Sequence, residues 1–414
     1  MARLKLFVVI CLCSICIIST NLLAQMNWIL ATDSAGWLGR EGHTSVVLDN
    51  KMWVLGGLGS YPNPYHCNDV WYSSDGINWF CATPSAEWTA RGEHESVIFN
   101  NMMWILGGYD SSWNIRNDVW FSADGVYWTC ATDSAQWSPR WEHTTVVFDN
   151  KIWVLGGFGI GLKNDVWYSS DGVNWIQAAD SAGWRPRHGH ASTVFDNKMW
   201  VLGGCIGDVN LQNDVWYSTN GVNWICATDS ADWSRRWGHA LVVFDDKMWL
   251  LGGQSMGGND VWYSTNGVNW ICATDSVGWS PRVHHTSVNF NNKIWILGGI
   301  GYSYFNDVWY STGLGIEEHP TLDAGRSIIE IYPNPFRNQL TIHIPNPINS
   351  QLLIYDVTGK LIKSFTNSQP QTTNNCFIWN GKDEHNRKVP ANLYFAVVKT
   401  SKNTIATPII YLGK

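Results

Sequence analysis

The residues with the most chemical promise interrupt an otherwise repetitive sequence. Glu41, Glu93, Glu95 and Glu142, with His188 and His284, place charge near the starts of repeats whose other copies carry none there. Trp113, Trp141 and Trp237 are demanded by no repeat, and Tyr61, Tyr65, Tyr109, Phe158, Tyr302 and Tyr304 fall in or beside segments that vary from copy to copy. Aromatic faces stack on the apolar faces of sugars and attract cations, while carboxylates accept hydrogen bonds from hydroxyls. The expected ligand-binding set is therefore Tyr61, Tyr65, Glu93, Tyr109, Trp113, Trp141, Glu142, His188, Trp237, His284, Tyr302 and Tyr304, a pattern suited to a sugar or a cation. No catalytic residue, metal or cofactor is assigned, because no Cys-x-x-Cys pair or Cys/His cluster has zinc spacing and no isolated Tyr/Glu pair suggests glycosidase chemistry.

These side chains must be held by something regular, and the regular part is a sixfold repeat. A double glycine ending an apolar run recurs at Gly56, Gly107, Gly156, Gly203, Gly252 and Gly298. Each copy carries Arg-x-x-His, the apolar run and Asn-Asp-Val-Trp, and the first five add an Asp-Gly or Asn-Gly pair, followed in most by Asn-Trp. Four short β-rich runs separated by turn residues read as four antiparallel strands. A sheet of this size cannot bury both faces alone, so the copies are expected to stack in a ring, a β-propeller. Tryptophan makes up 28 of 414 residues, and four positions per copy account for 6 × 4 = 24 of them, which suits packing between blades. The six-times repeated arginines (Arg40, Arg91, Arg140, Arg187, Arg236, Arg282) and histidines (His43, His94, His143, His190, His239, His285) are expected to bond backbone in dry interfaces. Asp69 and its equivalents read as turn or strand-start anchors. The sixth copy lacks a fourth strand and the segment from Asn27 supplies a lone one, so the two are expected to complete one blade.

Val54-Leu55-Gly56-Gly57, Trp71 after Asn-Asp-Val, Trp79, and Arg140 with His143 resemble the kelch repeat family over roughly residues 27 to 312. The resemblance implies a six-bladed propeller whose loops between second and third strands share a face with the blade-to-blade crossings. Variable loops on a rigid scaffold are the usual seat of recognition, and that face is the expected binding surface. Kelch-like propellers also include copper oxidases of the galactose oxidase type and sialic acid mutarotases. The oxidase set of two Tyr, two His and a cross-linked Cys has no candidate here; a mutarotase-like site, needing only a few polar groups, stays open as the alternative to a binding module.

The two ends concern export. Arg3 and Lys5 precede an apolar run over residues 6–18, the order of a secretory signal peptide expected over 1–24. The run is too short to span a bilayer, and no later stretch is long enough. The expected organisation continues with the propeller at 26–313, a linker at 314–326 and a small domain at 327–414 with short alternating strands, an Ig-like β-sandwich, making the fold class all-β throughout. Tyr332-Pro333-Asn334-Pro335-Phe336, Ile354-Tyr355-Asp356-Val357-Thr358-Gly359-Lys360 and Trp379-x-Gly381-x-Asp383 resemble the C-terminal sorting domain of type IX secretion, with Asn386 and Asn392 where that family usually has glycine. The resemblance implies the type IX secretion machinery as a partner and a secreted or outer-membrane-surface location on a Gram-negative bacterium. Cys81, Cys130, Cys226 and Cys272 share one repeat position and are expected to be free or buried thiols, with Cys67, Cys205 and Cys376 undecided. Net charge is -7, which gives no field to hold a phosphate backbone. A glycan or protein ligand, no nucleic acid, no transmembrane span in the mature chain and a monomer are expected.

Overall fold

The computed structural model describes residues 26–59, 65–207, 209–253, 258–312, 330–332, 336–343, 351–356, 360–365, 376–399 and 404–413. The chain divides into two compact units, residues 1–316 and 317–414.

The first unit is a ring of six four-stranded antiparallel blades. Blade 1 runs outward through Thr44–Leu48, Lys51–Gly59, Tyr65–Ser73 and Phe80–Thr83. The innermost strands of blades 2 to 6 are Glu95–Phe99, Thr144–Phe148, Ala191–Phe195, Ala240–Phe244 and Thr286–Phe290. Each touches the next, and the sixth touches the first, so the circle is closed. Blade 6 takes its outermost strand from Asn27–Thr32, which runs antiparallel to Val308–Thr312 with Asn27 opposite Thr312 and Leu30 opposite Trp309.

Six separate hydrophobic clusters lie between blades. In that between blades 1 and 2, Trp53, Trp88 and Trp128 pack with Leu55, Val70 and Ile105. Each turn glycine is close to the neighbouring blade: a Cβ on Gly76 would sit 2.1 Å from Trp295, so only glycine, here at φ 76°, fits under that indole. Three of the four repeated tryptophan positions are buried in the five complete blades, while the Trp71 class is only half-buried.

The repeated arginines and aspartates form one unit: the aspartates, read as turn or strand-start anchors, anchor the third strand by pairing with the arginine of the crossing. Arg40, fully buried, donates to both carboxylate oxygens of Asp69 at 2.8 and 2.9 Å and to the Gly56 carbonyl at 2.7 Å. The Trp71 indole donates to the same carboxylate at 2.7 Å. The arrangement recurs in every blade through Arg282 and Asp307. Burying a guanidinium is tolerable only with such a bidentate partner, and removing one member of a buried pair costs about 3–5 kcal/mol. The repeated histidines also have side-chain partners: His43, His94 and His190 meet Thr286, Thr44 and Thr144 of the preceding blade through Nε2 at 3.2, 3.3 and 3.0 Å.

Cys81, Cys130, Cys226 and Cys272 are free thiols, but the first three are exposed and the fourth half-buried. They lie on outermost strands whose first residues face solvent, so the shared repeat position is not a core position. Cys67 is a buried free thiol whose burial pushes its pKa up to about 11, and the Cys205 thiol donates to the Gly207 carbonyl. The side chain of Cys376 lies outside the described residues.

The second unit is all-β in two sheets. One pairs Glu330–Tyr332, Leu340–His343 and Cys376–Trp379; the other orders Leu361–Phe365, Gln351–Asp356, Asn392–Lys399 and Thr404–Tyr411. Phe336, Leu340, Ile354, Trp379, Tyr394 and Tyr411 share its core. Asn386 has φ 64°, the left-handed backbone a family glycine serves, whereas Asn392 starts a strand.

Removing residues 26–36 strips the sixth blade of its outer strand and takes Met26 and Trp28 from the cluster between blades 5 and 6. A fall in melting temperature on the order of 10 °C is expected by differential scanning calorimetry of the full chain. An unchanged melt contradicts closure by this strand.

Candidate functional site

Each blade-to-blade crossing ends in Arg-x-y-His, and the y residues meet on the axis: Gly42, Glu93, Glu142, Gly189, Gly238 and His284. Their backbones form a closed circle of hydrogen bonds in which each N–H donates to the carbonyl of the preceding y residue. The distances are 2.8 Å for Glu93 to Gly42, 3.2 Å for Glu142 to Glu93, 3.1 Å for Gly189 to Glu142, 2.9 Å for Gly238 to Gly189, 2.9 Å for His284 to Gly238 and 3.2 Å for Gly42 to His284. That geometry needs left-handed backbone at every y position, and all six have φ between 47° and 60°. Glycine adopts it freely; another residue gives up about 1–2 kcal/mol. Three blades nevertheless place Glu93, Glu142 and His284 there.

The glycines leave room for the ionisable side chains of the neighbours. A Cβ on Gly42 would lie 2.6 Å from Glu93 Oε1, one on Gly189 3.1 Å from Glu142 Oε2, and one on Gly238 3.2 Å from His284 Nε2. His284 Nδ1 lies 2.9 Å from Glu93 Oε1 and its Nε2 lies 4.0 Å from Glu142 Oε1. His188 Nδ1 bonds Glu142 Oε2, and Tyr304 hydrogen-bonds Glu41. Glu41, Glu93 and His284 bring three potential metal-ligating atoms within 4.8 Å of one another. An axial cavity of about 110 Å³ is lined by the y residues, by the repeated histidines, and by Glu95 and Thr286.

Electrostatics separates His284 from the other axial histidines. Burial pulls the His284 imidazole down, but the charge and hydrogen bond of Glu93, with Glu142 and Glu41, outweigh it and lift the pKa to about 10. Burial, with the adjacent arginine, holds His94, His190 and His285 at about 3 and His43, His143 and His239 well below the ordinary value. Burial raises Glu41 and Glu142, with Glu93 adding repulsion, against the opposing pull of His284 on Glu41 and of the His188 hydrogen bond on Glu142.

An arc of rings approaches this cluster. Trp113 stacks on Tyr109 with centroids 4.9 Å apart and planes 4° apart; Tyr109 meets Trp141 edge-on at 5.3 Å; Trp141 and Trp237 flank His188 at 6.1 and 5.8 Å; Trp237 meets His284 at 4.8 Å. Trp113 is 72% exposed and has φ 60°, rare for so bulky a residue. Its loop is held by Asp110, whose Oδ1 accepts from the backbone N–H of Ser112 and Asn114 at 2.9 and 3.0 Å and whose carboxylate also pairs with Arg116. Crossings and second-strand ends share this face, as Arg91–Gly92 pairs with Tyr109–Asp110.

Of the twelve residues read from the sequence, Glu93, Tyr109, Trp113, Trp141, Glu142, His188, Trp237 and His284 come together, and Tyr304 joins through Glu41. Tyr65 stands apart at the start of the third strand of blade 1, and Tyr302, 84% exposed, packs edge-on to Phe305. Tyr61 lies outside the described residues. His66, half-buried and edge-on to Tyr109 at 5.2 Å, was not among the expected residues; its place directly before Cys67-Asn68-Asp69, in a blade otherwise like the rest, was its only signal.

A sixfold ring of four-stranded blades with an Arg-x-x-His crossing and a double glycine in each defines a kelch-type propeller. The chain belongs to the kelch-repeat family: the KLHDC2/KLHL20/DRC7 Kelch-repeats domain matches residues 42–253. Residues 330–410 match the Secretion system C-terminal sorting domain, so the propeller is joined to a type IX sorting tail. No curated protein matches the chain in sequence. Among solved structures, one titled "Structure of YjhT" is similar in fold, with TM-score 0.55 and 16% identity over 68% of this chain and 96% of that one.

Two outcomes follow from the axial geometry. Changing Glu93, Glu142 and His284 together to glycine relieves three left-handed side chains and the crowding of carboxylates, so the melting temperature is expected to rise by several degrees; a fall contradicts the strain. Because His284 has a raised folded pKa, its stabilising contribution is complete below the unfolded value of about 6.5 and is lost as pH rises through about 10. Histidine-selective NMR at pH 8 is expected to show one axial imidazolium; an entirely neutral set refutes the assignment.

Proposed function

We propose that the protein is a secreted or cell-surface binding module whose variable-loop face recognises a glycan. The observation that carries this reading is Trp113: a bulky side chain held in left-handed backbone, lying flat on Tyr109 with its outer face in solvent. Backbone strain of this kind persists where the surroundings enforce it, and it clusters at ligand clamps. The rest of the arc supplies further ring faces and ends at carboxylates able to accept from hydroxyls. A rigid ring beneath these loops keeps them pre-organised, so little ordering entropy is spent on association.

Export is supported from both ends of the chain. The charged-then-apolar order over residues 3–18 suits a translocated leader, and the sorting domain suits delivery by type IX machinery to the surface of a Gram-negative cell. Among the described residues no helix is long and apolar enough to cross a membrane.

Full chains carrying Trp113→Ala or Trp141→Ala are expected to lose glycan-array binding by about tenfold or more, equivalent to about 1.4 kcal/mol, with an unchanged melting temperature for Trp113→Ala. Binding unaltered by both changes dismisses the aromatic site.

A further inference from the structure

The axial cavity is unusual in what it lacks. Its lining includes the carboxyl groups of Glu93, Glu95 and Glu142 but no lysine or arginine, and the cation it does contain, His284, is already engaged with Glu93. A buried excess of carboxylate is unfavourable unless a positive charge or several donors face it.

A second feature, independent of the carboxyls, also calls for a donor. His143 lines the cavity, is 1% exposed, and has no hydrogen-bond partner at either ring nitrogen. His94, His190 and His43 meet a threonine hydroxyl from the preceding blade, whereas His143, His239 and His285 do not; Ala191 and Ala240 stand in the threonine's place before the last two, and only before His143 is that place taken by a carboxyl group, Glu95. His143 is neutral, because burial and Arg140 hold its pKa far below the ordinary value, so one nitrogen offers a lone pair. Carboxylates and an unbonded imidazole lone pair are all acceptors, and the group that satisfies several acceptors at once while bringing charge is a compact ammonium with three N–H donors.

We propose that the axial cavity is an ammonium subsite that takes the free primary amine of an amino sugar against Glu93, Glu95, Glu142 and His143. This rests on the glycan reading above and narrows it. The size agrees: about 110 Å³ is less than the roughly 150 Å³ cavity that holds a benzene ring, so it suits the tip of a ligand better than a whole sugar ring. A metal ion is the other cation to consider. The Glu41, Glu93 and His284 atoms are close enough to one another, but both ring nitrogens of His284 face carboxylates, which favours the doubly protonated ring over one with a lone pair for a metal.

The test is calorimetric titration of the full chain with glucosamine oligomers and with the same oligomers N-acetylated, alongside n-butylamine and n-butanol as small probes. The free-amine oligomer is expected to bind at least tenfold more tightly than its acetylated form, and n-butylamine but not n-butanol to raise the melting temperature. Both preferences should vanish in Glu142→Gln and Glu95→Gln, with circular dichroism and melting confirming that each variant folds. Equal binding of the two oligomers, or a preference that survives both substitutions, overturns the ammonium subsite while leaving glycan recognition standing. Binding of n-butylamine lost in the variants, with no oligosaccharide bound, supports the subsite and ends the glycan reading. Stabilisation by zinc or calcium alone, abolished by Glu41→Gln and matched by no amine, overturns the proposal in favour of a metal.

Discussion

Everything at the centre of this molecule depends on one circle of backbone hydrogen bonds. Six crossings, one per blade, each pass an N–H to the carbonyl of the blade before, and the circle closes between His284 and Gly42. Closure fixes the backbone at those six positions in the left-handed region, which makes glycine the undemanding choice. Side chains at Glu93, Glu142 and His284 are thus held against a standing conformational cost, in a space the three glycines leave vacant. The ring does not need these groups for its own geometry, since blades 1, 4 and 5 manage without them.

Around that circle the energetics are divided by sixfold repetition. Apolar burial is handled by six interblade clusters rich in tryptophan, each joining two neighbouring sheets. Directional bonding is handled by the Arg–Asp–Trp unit, which ties each crossing to the third strand of the blade that follows it and to the double glycine beside it. The second glycine is needed because the crossing passes so near: a Cβ on Gly57 would stand 2.7 Å from the Cβ of His43. With the load spread in this way, the loops on the crossing face can vary without touching the core, and the loop that holds Trp113 carries its own local anchor in Asp110.

Much of this architecture was legible in the sequence because repetition multiplies a weak signal six times. The strand count, the turn glycines and the lone N-terminal strand all followed from aligning the copies. The candidate site was legible for the complementary reason, since Glu93, Glu142, His188, His284, Trp141 and Trp237 stand out where other copies agree. Pairings and facings that only the folded chain sets were not legible. The partnership of Arg40 with Asp69 spans 29 residues, the exposure of Cys81 depends on which face of an outer strand meets solvent, and the convergence of Glu93 with His284 joins blades 2 and 6. Tyr302 lies apart from the arc of rings, a placement that loop membership does not reveal because it says nothing of direction.

The central claim is that the departures from sixfold symmetry on the axis exist to receive a ligand group. A crystal structure of the full chain soaked with a glucosamine oligomer tests it most directly. The account predicts density for the sugar on the crossing face, with its amine nitrogen in the axial cavity within hydrogen-bonding distance of Glu93 or Glu142. Water alone in that cavity at saturating ligand, with sugar bound elsewhere or nowhere, contradicts it.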